Sequence, residues 1–255
     1  MMLALAAAVA PMAIGQDLAQ ELSKEWGSNS ASTLKLEFRE IDRARDAGST
    51  RIMYHLETAG FPEGKTYQLW VRQSGDQKVF PLVEGYSADP AGKLICASAS
   101  PGTQEQTPAS ARMMHCVSLE IFRYIVDHHV KGEPVDLAFV STDGSVRAFA
   151  RAFPFPIQAQ DGKCSLTIEI LASDGGFFNV HGEGFAPGEN LKILFTSGKQ
   201  KKEGSQQTSP QGDFEAGLLP AVAGKKSGSA TFAATGASCH PSVTFDWGKD
   251  ALKPQ

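Results

Sequence analysis

From Leu34 onward the hydrophobic positions fall two apart. Leu34, Leu36 and Phe38 alternate with charged or polar residues, as do Ile52, Tyr54 and Leu56, and then Tyr67, Leu69 and Val71. A period of two predicts strands with one buried and one wet face. Val135, Leu137 and Phe139 repeat the pattern before Thr142-Asp143-Gly144-Ser145, where Asp-Gly between alternating segments signals a hairpin into 146–153. Cys164, Leu166, Ile168 and Ile170 alternate again, and Val243, Phe245 and Trp247 close the series. Segment 117–130 fits two periods, and a strand followed by an irregular turn is the favoured reading.

Ahead of the strands, Leu18, Leu22 and Trp26 stand four apart, with Asp17 as an N-cap and Gly27 just past the end. This spacing predicts a short helix, a packed or frayed terminus, and Ser28-Asn29-Ser30-Ala31-Ser32 then reads as a linker.

One glycine pattern occurs twice. Gly184-Phe185-Ala186-Pro187-Gly188-Glu189 matches a degraded copy at Gly60-Phe61-Pro62-Glu63-Gly64-Lys65. In each copy an apolar residue follows nine positions on (Leu69, Ile193), then Ser-Gly (Ser74-Gly75, Ser197-Gly198), then Pro-x-Gly (Pro90 to Gly92, Pro210 to Gly212). Repetition at this scale predicts one architectural unit used twice. Phe153-Pro154-Phe155-Pro156-Ile157 cannot run through the middle of a sheet, because each proline lacks a ladder donor, so the junction falls there. The expected organisation is a leader at 1–15, a helix and linker at 16–32, sandwiches at 33–157 and 158–248, and a disordered tail at 249–255. Many short strands with Gly and Pro turns and no interleaved helices make the fold class all-β: two antiparallel Ig-like β-sandwiches in tandem.

The uncharged stretch 1–15, ending Ala13-Ile14-Gly15, reads as a signal peptide without its basic start, shorter than the roughly 20 residues a membrane span needs. Export changes the reading of the four cysteines to two disulfides. Three pairings exist on paper, and pairing within each half, Cys96 with Cys116 and Cys164 with Cys239, is the simplest. A net charge of −4 with no single-sign run argues against a nucleic-acid partner.

Val180-x-Gly182-x-Gly184-Phe185-x-Pro187-Gly188-Glu189 resembles the opening strands of bacterial IPT/TIG-like and related Ig-fold extracellular modules. Tyr67-Gln68-Leu69-Trp70-Val71 before a Gly-containing turn is similar to the sandwich at the outer end of some anti-sigma factors. The resemblance implies a spacer, assembly or binding module, with a protein or cell-envelope glycan as partner.

Near-matches to phosphate motifs, Gly60-x-x-x-Gly64-Lys65-Thr66 and Gly182-x-Gly184-x-x-x-Gly188, lead into strands and read as turns, so no cofactor is expected. The chemically suggestive cluster is Asp127-His128-His129, with Met113-Met114-His115 upstream. Imidazole and thioether groups suit copper or zinc, but neighbouring strand side chains point to opposite faces, so one ion would need help from His115, His55, His181 or His240. No hydrolase motif is present; Glu120, Asp127 and Asp136 are acids that a hydrolytic site could assemble. Trp70, with Tyr86 and Trp247 behind it, is the candidate platform for stacking on a sugar if its ring faces solvent, a buried tryptophan being the default reading. The expectation is thus a non-catalytic exported binding or assembly module. A Cu/Zn protein using His128 and His129 is the alternative, and a carbohydrate binder or hydrolase comes after it.

Overall fold

The alternating segments pair into sheets in the order in which the chain supplies them. The computed structural model describes residues 12–24, 26–46, 49–72, 78–96 and 114–255, apart from the side chains of 12–17 and 46. In the first half these residues form α1 (Met12–Lys24), β1 (Lys35–Asp46), β2 (Ser49–Ala59), β3 (Thr66–Arg72), β4 (Val79–Ala88) and β5 (Leu94–Cys96). The short β6 (Met114–His115) and β7 (Tyr124–Val126) come next, before β8 (Val135–Ser141) and β9 (Arg147–Ala152). Sheets β1-β2-β7 and β5-β4-β3-β8-β9 face each other, with β6 parallel to β4 and the other pairings antiparallel. Leu36, Ile52, Leu56, Tyr67, Leu69, Leu137 and Phe139 fill the space between them.

The second half contains β10 (Ile157–Asp161), β11 (Cys164–Ile170), β12 (Phe178–Glu183), β13 (Asn190–Ser197) and β14 (Gln200–Gln207). It ends with β15 (Phe214–Leu218), β16 (Ser227–Thr235) and β17 (Ser242–Gly248). Its sheets are β10-β11-β12-β15 and β14-β13-β16-β17, closed on a separate core that includes Leu166, Ile168, Phe178, Val180, Phe185, Leu191, Phe232 and Phe245. The all-β sandwich architecture is as the periodicity predicted.

The glycine repeat is a structural repeat down to its hydrogen bonds. Phe61 N–H donates to Gly92 O at 3.1 Å, and Phe185 N–H to Gly212 O at 3.1 Å. Gly60 and Gly184 have φ of +79° and +78°, and a Cβ on either would strike a backbone carbonyl, Thr33 O or Lys163 O. Only glycine satisfies both demands. The following turns match as well: Asp89 Oδ1 accepts from Ala91 N and Lys93 N, and Ser209 Oγ from Gln211 N and Asp213 N. Ser74-Gly75 lies outside the described residues.

Each half also carries a disulfide, Cys96–Cys116 and Cys164–Cys239, enclosing separations of 20 and 75 residues. On the loop-entropy model they contribute about 3 and about 4.5 kcal/mol.

Four local expectations change. Among the described residues the helix already covers Met12–Lys24, ahead of the expected cap Asp17, so a cut after Gly15 falls inside α1 and leaves Leu18, Ala19 and Leu22 in place. In 117–130 the turn comes first: Ser118 O accepts from Ile121 N and Phe122 N, Ser118 Oγ from Glu120 N, and β7 follows. The junction expected at 153–157 ends before Ile157, which opens β10; that strand pairs with β11 from Ile157↔Ile168 to Asp161↔Cys164, and its polar residues suit an edge strand. The tail, expected to be disordered, is docked. Ala251 is buried in the second core, Pro254 bridges Val130, Gln255 N–H donates to His129 O, and Thr50 N–H to Gln255 O.

Candidate functional site

Two features stand out from the fold: a charged seam between the halves and a strand-wide slot in each half. The seam follows from register. Arg72, Asp136 and Arg151 lie opposite one another on β3, β8 and β9, and cross-strand neighbours on one face touch. Arg72 Nη2 reaches Asp136 Oδ2 at 2.6 Å, and Arg151 Nε reaches Asp136 Oδ1 at 2.7 Å. Arg151 then crosses to the second half, its Nη1 2.8 Å from Glu169 Oε2 on β11. His181 Nε2 meets the same oxygen at 2.9 Å, and His181 Nδ1 lies 3.2 Å from Glu215 Oε1.

Asp136 and Glu169 are almost fully buried, at 3% and 4% exposure. Burial works against the charge of Arg151, but Asp136 and Glu169 outweigh it and hold the guanidinium pKa above its usual value. The hydrogen bond to Glu169, opposed by desolvation and assisted by Glu215, raises the pKa of His181. Gly132 completes the seam from the backbone. Its N–H donates to Phe155 O at 2.7 Å, its carbonyl accepts from Ile170 N at 3.0 Å, and a Cβ there would press on Ile157. With each buried carboxylate bridged by basic side chains, this cluster joins the halves.

The slots arise where the repeat breaks. Strands β1 to β5 correspond in order to β11 to β15, and β8 and β9 to β16 and β17. The fifth strand pairs differently in each copy: β5 lies on β4, whereas β15 lies on β12. In the first half, β7 covers β2 only from Ile52 to Tyr54. A cavity of about 660 Å³ lies beside 55–59, lined also by Lys93, Leu94, Ile95 and Glu120. In the second half β14 pairs with β13 alone among the described residues, and a cavity of about 370 Å³ separates it from β15.

The candidate residues from sequence scatter. His115, on β6, is exposed and stands 4.0 Å from Glu84. Asp127 and His128 are exposed after β7, with His128 at φ +48° and its Nδ1 3.5 Å from Ser49 Oγ. His129 turns to Glu133, donating from Nε2 to the carbonyl at 2.9 Å with Nδ1 3.6 Å from the carboxylate. Among the described residues no three His, Cys, Asp or Glu side chains gather as a metal site; Met113 lies outside them.

Of the three acids, Asp136 is held by Arg72 and Arg151, while Glu120 and Asp127 are exposed. Lys65 of the phosphate near-match binds Asp143 and Ser145 instead. Trp70 is no open platform: it is 2% exposed, because α1 roofs the outer face of the sheet and sets Leu22 against Trp70, Ala138 and Val140. Tyr86 and Trp247 are buried too.

Sequence reading missed Arg151 and Glu169 as a pair. The available signal was Asp136, a lone charge inside the run Val135-Asp136-Leu137-Ala138-Phe139-Val140, which demands a buried cation.

No family model and no curated protein matches the chain. Among solved structures it is similar to a tetra-tandem repeat in the extending region of a large adhesion protein, at 10% identity and a TM-score of 0.27, over 86% of this chain and 50% of that one. A DUF3823 family protein from Bacteroides ovatus ATCC 8483 shows 10% identity and a TM-score of 0.22 over 85% and 99% of the two chains. The BSP domain of a biofilm associated protein shows 9% identity and a TM-score of 0.19 over 91% and 54%. The chain spans about half the length of the first and third. Likeness this slight carries no functional conclusion, which rests on the chain's own edges and seam.

Proposed function

We propose that the protein is a non-catalytic exported binding or assembly module of the cell envelope, two sandwiches that meet just before Ile157, with the tail docked between them. The observation that carries this reading is the fifth strand, which pairs with opposite sheets in the two halves and leaves each with an open slot beside a strand edge. Such edges recognise extended chains through main-chain hydrogen bonds. The seam supports it by fixing both slots on one frame. Two disulfides and the apolar residues 1–15 support export. A protein partner is favoured over a glycan, since Trp70, Tyr86 and Trp247 are buried.

The test is site-specific photo-crosslinking in cells, with the reactive residue at Ile95 or Leu219 beside the slots and at Thr244 on an open sheet face. Discrete adducts from a slot position and none from Thr244, on a disulfide-bonded extracytoplasmic chain, are expected. Equal adducts at Thr244, or a chain retained in the cytoplasm with free thiols, would overturn the reading.

A further inference from the structure

We infer that the slot between β14 and β15 takes an extended peptide strand of a partner protein, one that alternates apolar and acidic residues and runs antiparallel to β14. This rests on the binding-module reading and names the partner's chemistry at one of its two edges. The molecule contains its own precedent. In the first half β4, the counterpart of β14, carries β5 antiparallel on its outer edge through Tyr86↔Cys96, Ser87↔Ile95 and Ala88↔Leu94. In the second half the corresponding strand has gone to β12, so no described strand pairs with the outer edge of β14, whose backbone groups suit another chain.

The floor of the slot is apolar. Phe195, Leu218 and Phe232 lie at its base, and Phe177 and Leu219 stand at its rim, 38% and 69% exposed. The core-facing row of β14 contributes no apolar cover. Register sets Lys202 opposite Phe195, Gly204 opposite Ile193 and Gln206 opposite Leu191. At Gly204 an added Cβ would meet nothing within 4 Å. Apolar side chains of an incoming strand would close over Ile193 and Leu219.

Charge selects the rest of the sequence. Residues 190–226 carry six lysines against three acids, in a chain of net charge −4. Lys201 is paired with Glu203, while Lys202, which lines the slot, has no ion pair among the described residues. A carboxylate on the incoming strand supplies the missing partner. The opposite role for Lys202 is a guard that keeps other strands away, and charge reversal separates the two.

The experiment uses the full chain and two labelled eight-residue peptides, alternating valine with aspartate and glutamate or valine with lysine. Fluorescence anisotropy reads binding, and hydrogen exchange reads protection at 200–207 and at 55–59. The acidic peptide is expected to bind and protect 200–207, and Lys202→Glu is expected to weaken it about tenfold or more while admitting the lysine peptide. Leu219→Asp, at an exposed position that leaves the fold intact, weakens it as well.

Equal binding of both peptides, indifference to Lys202→Glu, or already slow exchange in the free chain of those 200–207 amides that point away from β13 would overturn the inference. Protection at 55–59 in place of 200–207 would overturn this site and leave the strand-capturing reading standing. Protection at neither edge by either peptide would overturn both.

Discussion

Arg151 of β9 and Glu169 of β11 meet at 2.8 Å across the seam, on strands whose alternate residues face two different hydrophobic cores. Removing one partner of a buried ion pair costs about 3–5 kcal/mol, because the other charge is left unpaired. With 34% of the Arg151 side chain exposed, solvent screening reduces that, and Arg151→Ala is expected to destabilise by about 2–3 kcal/mol. The loss falls on the coupling of the halves. Calorimetry should show one transition in the parent chain and two in the variant.

The same network predicts a pH dependence. The pKa of His181 is raised by its hydrogen bond to Glu169, with burial and Arg151 opposing and Glu215 adding. A raised folded-state value means the imidazolium stabilises the fold fully below the ordinary histidine value near 6.5, and that this contribution is lost as pH climbs through the raised value. Urea midpoints should therefore fall from pH 5.5 to pH 8.5, and His181→Gln should flatten that part of the profile. A fall of equal size in the variant would assign the effect elsewhere.

Much of this fold was legible because its signals are local. Gly60 and Gly184 announced the duplication through a conformation that only glycine holds comfortably, and Cys164, Leu166 and Ile168 announced a strand by strict alternation. The seam was not legible, since Arg151 and Glu169 become neighbours only after two sandwiches dock. The fifth strand was equally hidden. Leu94 and Phe214 both face a core, and nothing within three or five residues says which sheet will take the backbone. Burial of Trp70 was the default reading, but its cause was hidden, because alternation tells which residues share a face while Leu22 of α1, far earlier in the chain, decides whether that face is wet.

The duplicated turn supplies an internal control. At Gly188, φ is +68° and an added Cβ meets nothing within 4 Å, so Gly188→Ala adds only the left-handed penalty, about 1–2 kcal/mol. At Gly184, φ is +78° and the Cβ also strikes Lys163 O, so the backbone must move. Gly184→Ala is expected to cost at least about 3 kcal/mol. The first-half pair, Gly64→Ala and Gly60→Ala, should show the same order by denaturant midpoint. Equal costs within either pair would mean that the carbonyl contact is relieved freely.

Trp70 separates packing from recognition. Its ring lies between the sheet and Leu22 of α1, so Trp70→Ala opens a cavity, and a loss of about 3–5 kcal/mol follows. Leu22→Ala, which removes the roof and spares the indole, should cost about 2–5 kcal/mol and shift the Trp emission to the red as water reaches the ring. A sugar platform makes the opposite forecast: Trp70→Ala would keep its stability and lose glycan binding, and glycan addition would quench emission in the parent chain. Denaturant melts of both variants beside a glycan titration decide the matter. Large losses of stability with no quenching are expected, since a ring covered by a helix has no open face to offer a sugar.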